Sequence, residues 1–180
     1  MRETAKNLNV HFLLDNKIII DNICFIGATL WTDFNLYNNK PLSASYAELR
    51  MQDYKRIRFS QGGRYRKLTV GDTTRLHSTS KFFIQDELQK HQNYKRAVIT
   101  HHCPSGRCIP PLYQGDTLSP AYASNLEELI KEHKPNLWVF GHTHGNADFT
   151  LGDTRVIANQ RGYIPEEPNN SFIEDLIMEL

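Results

Sequence analysis

The sequence has few cysteines, no long apolar run and no large excess of charge of either sign. Its three cysteines, Cys24, Cys103 and Cys108, have no disulfide-framework spacing, so we expect a reducing compartment, the cytoplasm. The apolar runs are far too short to span a bilayer, and charged residues interrupt any signal peptide near the N-terminus. These absences predict a cytoplasmic protein with no membrane partner.

The 180 residues include 39% hydrophobic and 23% charged residues, which is typical of one soluble globular domain. The net charge of +1 gives no general reason to expect a nucleic-acid partner, and no specific one is predicted. One stretch is locally basic. We interpret it as a solvated loop, while a phosphate- or nucleic-acid-binding patch stays open as an alternative. The stretch contains Arg50, Lys55, Arg56, Arg58, Arg64, Arg66 and Lys67.

Alternating β-branched runs and helical spacings predict an α/β fold. We expect short strands near residues 17–21, 23–29, 95–100 and 137–140, and a hairpin of 149–151 with 155–158. Helices are expected over 45–54, 72–91 and 122–133, with a short amphipathic helix over 173–180. The segments 59–68 and 103–120 are interpreted as loops near the site.

Histidines follow two of these strands, at His101-His102 and at Gly141-His142-Thr143-His144. A strand–helix–strand unit between them would place both strand ends side by side, where ligands collect in α/β sheets. Neutral imidazole binds zinc, iron, manganese or nickel, so we predict that His101, His142 and His144 bind a metal. His102 is expected to point away from His101, because neighbouring residues of an extended chain alternate. The remaining histidines, His11, His77, His91 and His133, are interpreted as structural.

The two histidine motifs, with the strands that precede them, are similar to the closing motifs of calcineurin-like metallophosphoesterases. Residues 25–34 and 159–163, with the sequences FIGATLWTDF and NQRGY, resemble a bacterial and phage subgroup of that superfamily. The resemblance extends from about Val10 to Tyr163.

This resemblance implies a β-sandwich flanked by helices, with two divalent transition metal ions and a hydroxide that attacks phosphorus in line. His101 and His142 would bind one metal and His144 the other, while His102 would be a catalytic residue at the rim, near the phosphoester substrate. Among the arginines that could bind a phosphate, we choose Arg161 over Arg64, Arg66 and Arg107.

The chain lacks three opening motifs of the superfamily: Asp-x-His, Gly-Asp-x-x-Asp and Gly-Asn-His. The resemblance places these motifs upstream of Val10. We therefore expect residues 1–180 to form one domain that is truncated at its N-terminus, a partial sandwich with an open strand edge and an exposed apolar surface.

Three interpretations remain open. The chain is part of a phosphoester hydrolase completed by another chain or an upstream segment. It is a remnant that is catalytically inactive. Or it is a structural zinc module that uses Cys103 and Cys108 with the histidines.

Overall fold

The computed structural model describes residues 2–180, which form helices and strands in mixed order. The helices are α1 (Arg2–Asn7), α2 (Lys40–Arg50), α3 (Gln52–Arg56), α4 (Val70–Lys90) and α5 (Glu127–His133). The strands are β1 (Asn16–Ile20), β2 (Ile23–Ala28), β3 (Arg58–Gln61), β4 (Arg64–Lys67), β5 (Lys95–Thr100), β6 (Leu137–Val139), β7 (Ala147–Leu151), β8 (Thr154–Ala158), β9 (Gly162–Tyr163) and β10 (Glu167–Pro168).

Six strands form a mixed sheet in the order β1-β2-β5-β6-β8-β7. The four inner strands are parallel, and the outer strands β1 and β7 pair antiparallel with β2 and β8, the second pair forming the expected hairpin. The predicted α/β class is therefore confirmed as a mixed sheet flanked by helices. Because parallel strands end at the same edge of the sheet, the residues after β5 and β6 come together there.

The main core lies between this sheet and the helices α4 and α5. Trp138 at the centre of β6 is fully buried, and its indole N–H donates to the hydroxyl of Thr100 at 3.0 Å. Ile84 and Leu88 of α4 and Ile130 of α5 are fully buried in the same cluster. Burying such side chains stabilises the fold by about 1.5–3 kcal/mol each.

The other face of the sheet is covered in part by the C-terminal tail, whose Met178 and Leu180 pack on the cluster around Leu137. The predicted helix over 173–180 is wrong, because this segment has no helical residues. The amide of Asn159 exchanges two hydrogen bonds with the backbone of Ile173, at 2.7 and 3.0 Å, and holds the tail extended at that point.

Three other expectations need correction. Residues 59–68 are not a loop, because β3 and β4 form a hairpin whose turn is Gly62-Gly63, both with positive φ. The helix expected over 45–54 is two helices, α2 and α3, because Met51 between them is extended. The helix expected from Tyr122 begins only at Glu127.

Apolar side chains are exposed at one edge of the sheet and on its partly covered face. Ile19 and Ile20 of the edge strand β1 are 41% and 42% exposed, and Ile99 of the inner strand β5 is 39% exposed. Within residues 2–180, no helix combines the length and apolar character needed to cross a membrane.

Candidate functional site

Imidazoles from the ends of β5 and β6 meet at the edge of the sheet. The backbone N–H of Gly141 donates to the carbonyl of His101 at 3.1 Å and ties the two strand ends together. The ring of His142 lies 4.7 Å from that of His101 and 4.3 Å from that of His102, measured between centroids. The expectation that histidines from both strand ends meet is confirmed.

His102 lies beneath this cluster and is only 1% exposed, so the expectation that it lies at the rim is wrong. The chain bends after β5, and strand alternation no longer separates His102 from His101; their rings lie 5.1 Å apart. The Nδ1 of His102 lies 3.2 Å from the carbonyl of Thr29, an acceptor, so Nδ1 carries the proton. Its Nε2 then has a free lone pair, which is buried and has no hydrogen-bond partner among the described residues.

His142 presents a second buried Nε2 without a hydrogen-bond partner in the described part of the chain. Its ring stacks on Tyr122 with centroids 4.6 Å apart. Burial, followed by the neighbouring His101 and His144, lowers the pKa of His142 to about 3. Burial also lowers the pKa values of His101 and His102, so these three imidazoles are neutral at neutral pH.

His144 is held by two residues that the sequence interpretation did not identify. Its backbone N–H donates to Oε1 of Gln160 at 2.7 Å, and its Nδ1 lies 3.3 Å from Oε2 of Glu167. Its ring contacts the edge of Tyr163 at a centroid distance of 4.3 Å. Gln160 belongs to the NQRGY motif, which was its only sequence signal, whereas Glu167 had none.

A cavity of about 520 Å³ opens beside His142 and His144. Three carboxylates, Asp53, Asp116 and Glu167, line it together with the histidines. Asp53 raises the pKa of His101 against the larger effect of burial, as a nearby negative charge does. Asp53 was not predicted as a site residue, because residues 45–54 show only the spacing of a helix. Further lining residues are Arg50, Tyr113, Ser119, Tyr122 and Tyr163.

The donor chemistry of this cluster fits a transition metal, although the donors do not surround one point. His102 has a free Nε2 and its Nδ1 on a carbonyl, which is the form in which neutral histidine binds metals, and His142 has a free Nε2. Within residues 2–180, however, no three His, Cys, Asp or Glu side chains are grouped so that they could hold a metal ion. The metal role of His101, His142 and His144 therefore stays a prediction.

The other predicted site groups lie apart from the cavity lining. Arg161 is exposed and is not among the described residues that line the cavity. Arg107 donates to the carbonyl of Thr150 and covers the ring of Phe149. The thiols of Cys103 and Cys108 are buried, and burial and the neighbouring Cys108 raise the pKa of Cys103 well above its ordinary value. A raised pKa opposes the thiolate that zinc needs, so no observation here favours the cysteine site.

Comparisons with known proteins give relatives of limited similarity. No protein-family profile matches the chain. It is 27% identical over 166 residues to uncharacterized protein L509 of Acanthamoeba polyphaga mimivirus, and the match covers 87% of this chain and 56% of that protein. A solved structure matches with a TM-score of 0.51 and 14% identity, over 88% of this chain and 49% of the other. GAP50, the anchor in the inner membrane complex of Plasmodium, matches with a TM-score of 0.40 and 11% identity, over 88% and 40%.

The chain thus spans about half the length of the proteins that it matches. The similarity at a TM-score of 0.51 concerns the fold alone, and the one at 0.40 carries no argument.

Proposed function

We propose that this chain carries the histidine part of a metal-dependent phosphoester hydrolase. The observation that carries the proposal is the pair of buried, unpartnered Nε2 atoms on His102 and His142, which extend from neighbouring strand ends. An unpaired buried polar atom costs about 1–3 kcal/mol, and a ligand bound between the two rings would offset that cost. The resemblance of both histidine motifs to calcineurin-like metallophosphoesterases, and the β-sandwich which it implies, belong to the same proposal.

Each histidine has a distinct place in this proposal. His101, His142 and His144 would bind divalent transition metal ions, and the burial of His102 adds it to the candidate ligands. A bound cation would lower the pKa of its water to about 7 and offset negative charge that develops on the phosphoryl oxygens. Glu167 would orient His144 through its Nδ1, as carboxylates do for metal-bound histidines.

The resemblance implies carboxylate ligands that lie in the three opening motifs, and the sequence lacks all three of these motifs. Another chain, or further sequence of a longer protein, would supply them, and the phosphatase or phosphodiesterase activity of this chain depends on that supply. A cytoplasmic setting fits the three cysteines, all free and buried. A catalytically inactive metal-binding remnant is the second candidate, favoured by the lack of a complete ligand group within the described residues.

Metal retention tests the first step without any assay of catalysis. Purified protein should bind manganese, iron or zinc, measured by titration calorimetry and by elemental analysis. The His142→Ala/His144→Ala double variant should lose that metal, whereas His11→Ala, an exposed histidine away from the cluster, should keep it. Equal metal content in all three proteins would contradict a metal site at the cluster.

Hydrolysis is the second step. p-Nitrophenyl phosphate and its bis-ester, assayed with manganese, separate phosphatase from phosphodiesterase chemistry. Turnover by this chain alone, lost in the double variant, would show that the missing motifs are not required. Metal binding without turnover would favour the inactive remnant or the need for a completing segment.

A further inference from the structure

The β3–β4 hairpin concentrates positive charge in a nearly neutral protein. Residues 50–67 hold seven of the 21 lysines and arginines and one of the 20 acidic residues, Asp53. The rest of the chain therefore has more acidic than basic side chains, so its positive charge is local. A net charge of +1 conceals this asymmetry.

The inner face of the hairpin is fixed to the start of α4. Arg66 donates from Nη2 to Oδ1 of Asp72 at 2.8 Å, and its guanidinium covers the ring of the half-buried Phe59. Asp72 is 2% exposed and completes a capping box with Thr69. This arginine therefore has a structural partner and is excluded from any binding role.

Within the part of the chain that the structure describes, the outer face of the hairpin has no such partner. Arg58 lies directly opposite Lys67, and Ser60 opposite Tyr65, so these four side chains lie on the same face. All four residues are exposed, Tyr65 at 77%. Among the described residues, neither Arg58 nor Lys67 forms an ion pair. Two adjacent cations beside an exposed aromatic ring suit a chain of phosphates and bases.

The hairpin follows directly in the chain on residues that line the cavity. Arg50 and Asp53 line the cavity, α3 ends at Arg56, and β3 begins at Arg58. Only Ile57, which is extended, separates the end of α3 from the start of β3. The hydroxyl of Tyr54 in α3 hydrogen-bonds that of Thr73 in α4 at 3.1 Å, so α3 and the hairpin are both fixed to α4.

The cavity itself offers rings against which a base can stack. Tyr113 and Tyr163 line it and are 52% and 63% exposed, and Tyr122 forms the wall beside His142. A groove that combines cations along a backbone with aromatic platforms is the common arrangement for single strands. Duplex would leave these rings unused, because its bases are already stacked.

We propose that Arg58, Tyr65 and Lys67 on the outer face of the hairpin bind a single-stranded nucleic acid, whose phosphodiester reaches the histidine cluster. The choice of substrate rests on the proposed function, but binding to the hairpin does not. It is therefore measured without metal, in the presence of a chelator.

The test uses a short fluorescein-labelled oligodeoxynucleotide of mixed sequence and fluorescence anisotropy of the whole chain. The Arg58→Ala/Lys67→Ala variant should bind about tenfold more weakly at low salt. Its slope of log affinity against log salt should fall by about 1.4, or 0.7 for each lost phosphate contact on a single strand. The matched control, Lys131→Ala/Lys134→Ala, removes two exposed cations elsewhere and should behave as the unmodified protein.

Substitutions of Tyr65 test the stacking of a base independently of the charges, because stacking requires the aromatic ring but not the hydroxyl. Tyr65→Phe should keep the affinity, whereas Tyr65→Ala should weaken it about tenfold. Circular dichroism verifies the fold of each variant, whose altered side chains are exposed.

Distinct outcomes would overturn the proposal. Equal affinity of the hairpin and control double variants would exclude this face, and tighter binding of a duplex would exclude the single strand. Equal affinity for polyglutamate and for the oligodeoxynucleotide would show that the hairpin binds any polyanion, and would exclude specific binding of nucleic acid. Failure of metal binding with intact hairpin-dependent binding would refute the proposed function and leave the nucleic-acid surface in place.

Discussion

Gln160 is predicted to hold the loop that presents His142 and His144. Its Oε1 accepts from the backbone N–H of His144 at 2.7 Å, and its Nε2 donates to Oγ1 of Thr143 at 2.9 Å and to the carbonyl of Gly145 at 3.1 Å. The loop needs this support because His142 and His144 have φ values of +77° and +55°. Left-handed backbone costs a residue other than glycine roughly 1–2 kcal/mol.

The expected loss can be worked from these contacts. Three hydrogen bonds contribute about 0.5–1.5 kcal/mol each, and their half-buried position places the sum at about 2–3 kcal/mol. Gln160→Ala should lower the free energy of unfolding by that amount. It should also weaken metal retention, because the position of His144 is no longer fixed from its backbone.

Urea unfolding followed by circular dichroism measures the first effect, and titration calorimetry with manganese measures the second. Gln92→Ala, a substitution of an exposed glutamine in the turn after α4, is the matched control. A loss for Gln160→Ala within about 0.5 kcal/mol of the control would refute the reasoning, since that is the ordinary effect of a surface substitution.

Three further predictions concern single positions. The hydrogen bond from Arg66 is the main cause that lowers the pKa of Asp72. The carboxylate therefore stabilises the fold above pH 3.8, and this contribution is lost as the pH falls below that value. Asp72→Asn should lower the free energy of unfolding by about 1–3 kcal/mol at pH 7 and make it less dependent on pH in the acid range. Gly27→Ala should lose about 1–3 kcal/mol in urea unfolding, because an added Cβ meets the Cβ of Leu13. Asp53→Asn should lower the pKa of His101 in the metal-free protein, because the Asp53 carboxylate favours the imidazolium. NMR measures this titration, and an unchanged pKa of His101 would show that the two side chains do not interact.

Most of the fold was predictable because its signals are local. The β-branched runs on either side of Asp21-Asn22 specify the hairpin of β1 and β2, and Thr69 and Asp72 mark the start of α4. The tail over 173–180 was predicted wrongly. The helical spacing of its apolar residues is a weak local signal, and its tertiary contacts with the sheet decide its conformation. The hairpin of β3 and β4 was missed because its alternation consists almost wholly of polar residues, and a register without apolar side chains carries little signal.

The site was predictable in its location and less so in its detail. Parallel strands that end at one edge bring the residues after β5 and β6 together, and His101 and His142 could be placed in this way. The burial of His102 could not be predicted, because it depends on the bend of the chain after Thr100 and on the contact with the carbonyl of Thr29. Asp53 reaches the cavity from a distant helix, a contact that no motif encodes.

The energetics of the cluster constrain where any further ligand would bind. His102 and His142 each bury an unpartnered Nε2, which costs about 1–3 kcal/mol for each atom. Trp31 covers one side of His102 at a centroid distance of 4.9 Å, and Tyr122 stacks on one face of His142. The open approach to His142 is therefore from the cavity, which the carboxylate of Asp53 also lines. A further ligand of His142 would therefore enter by this route.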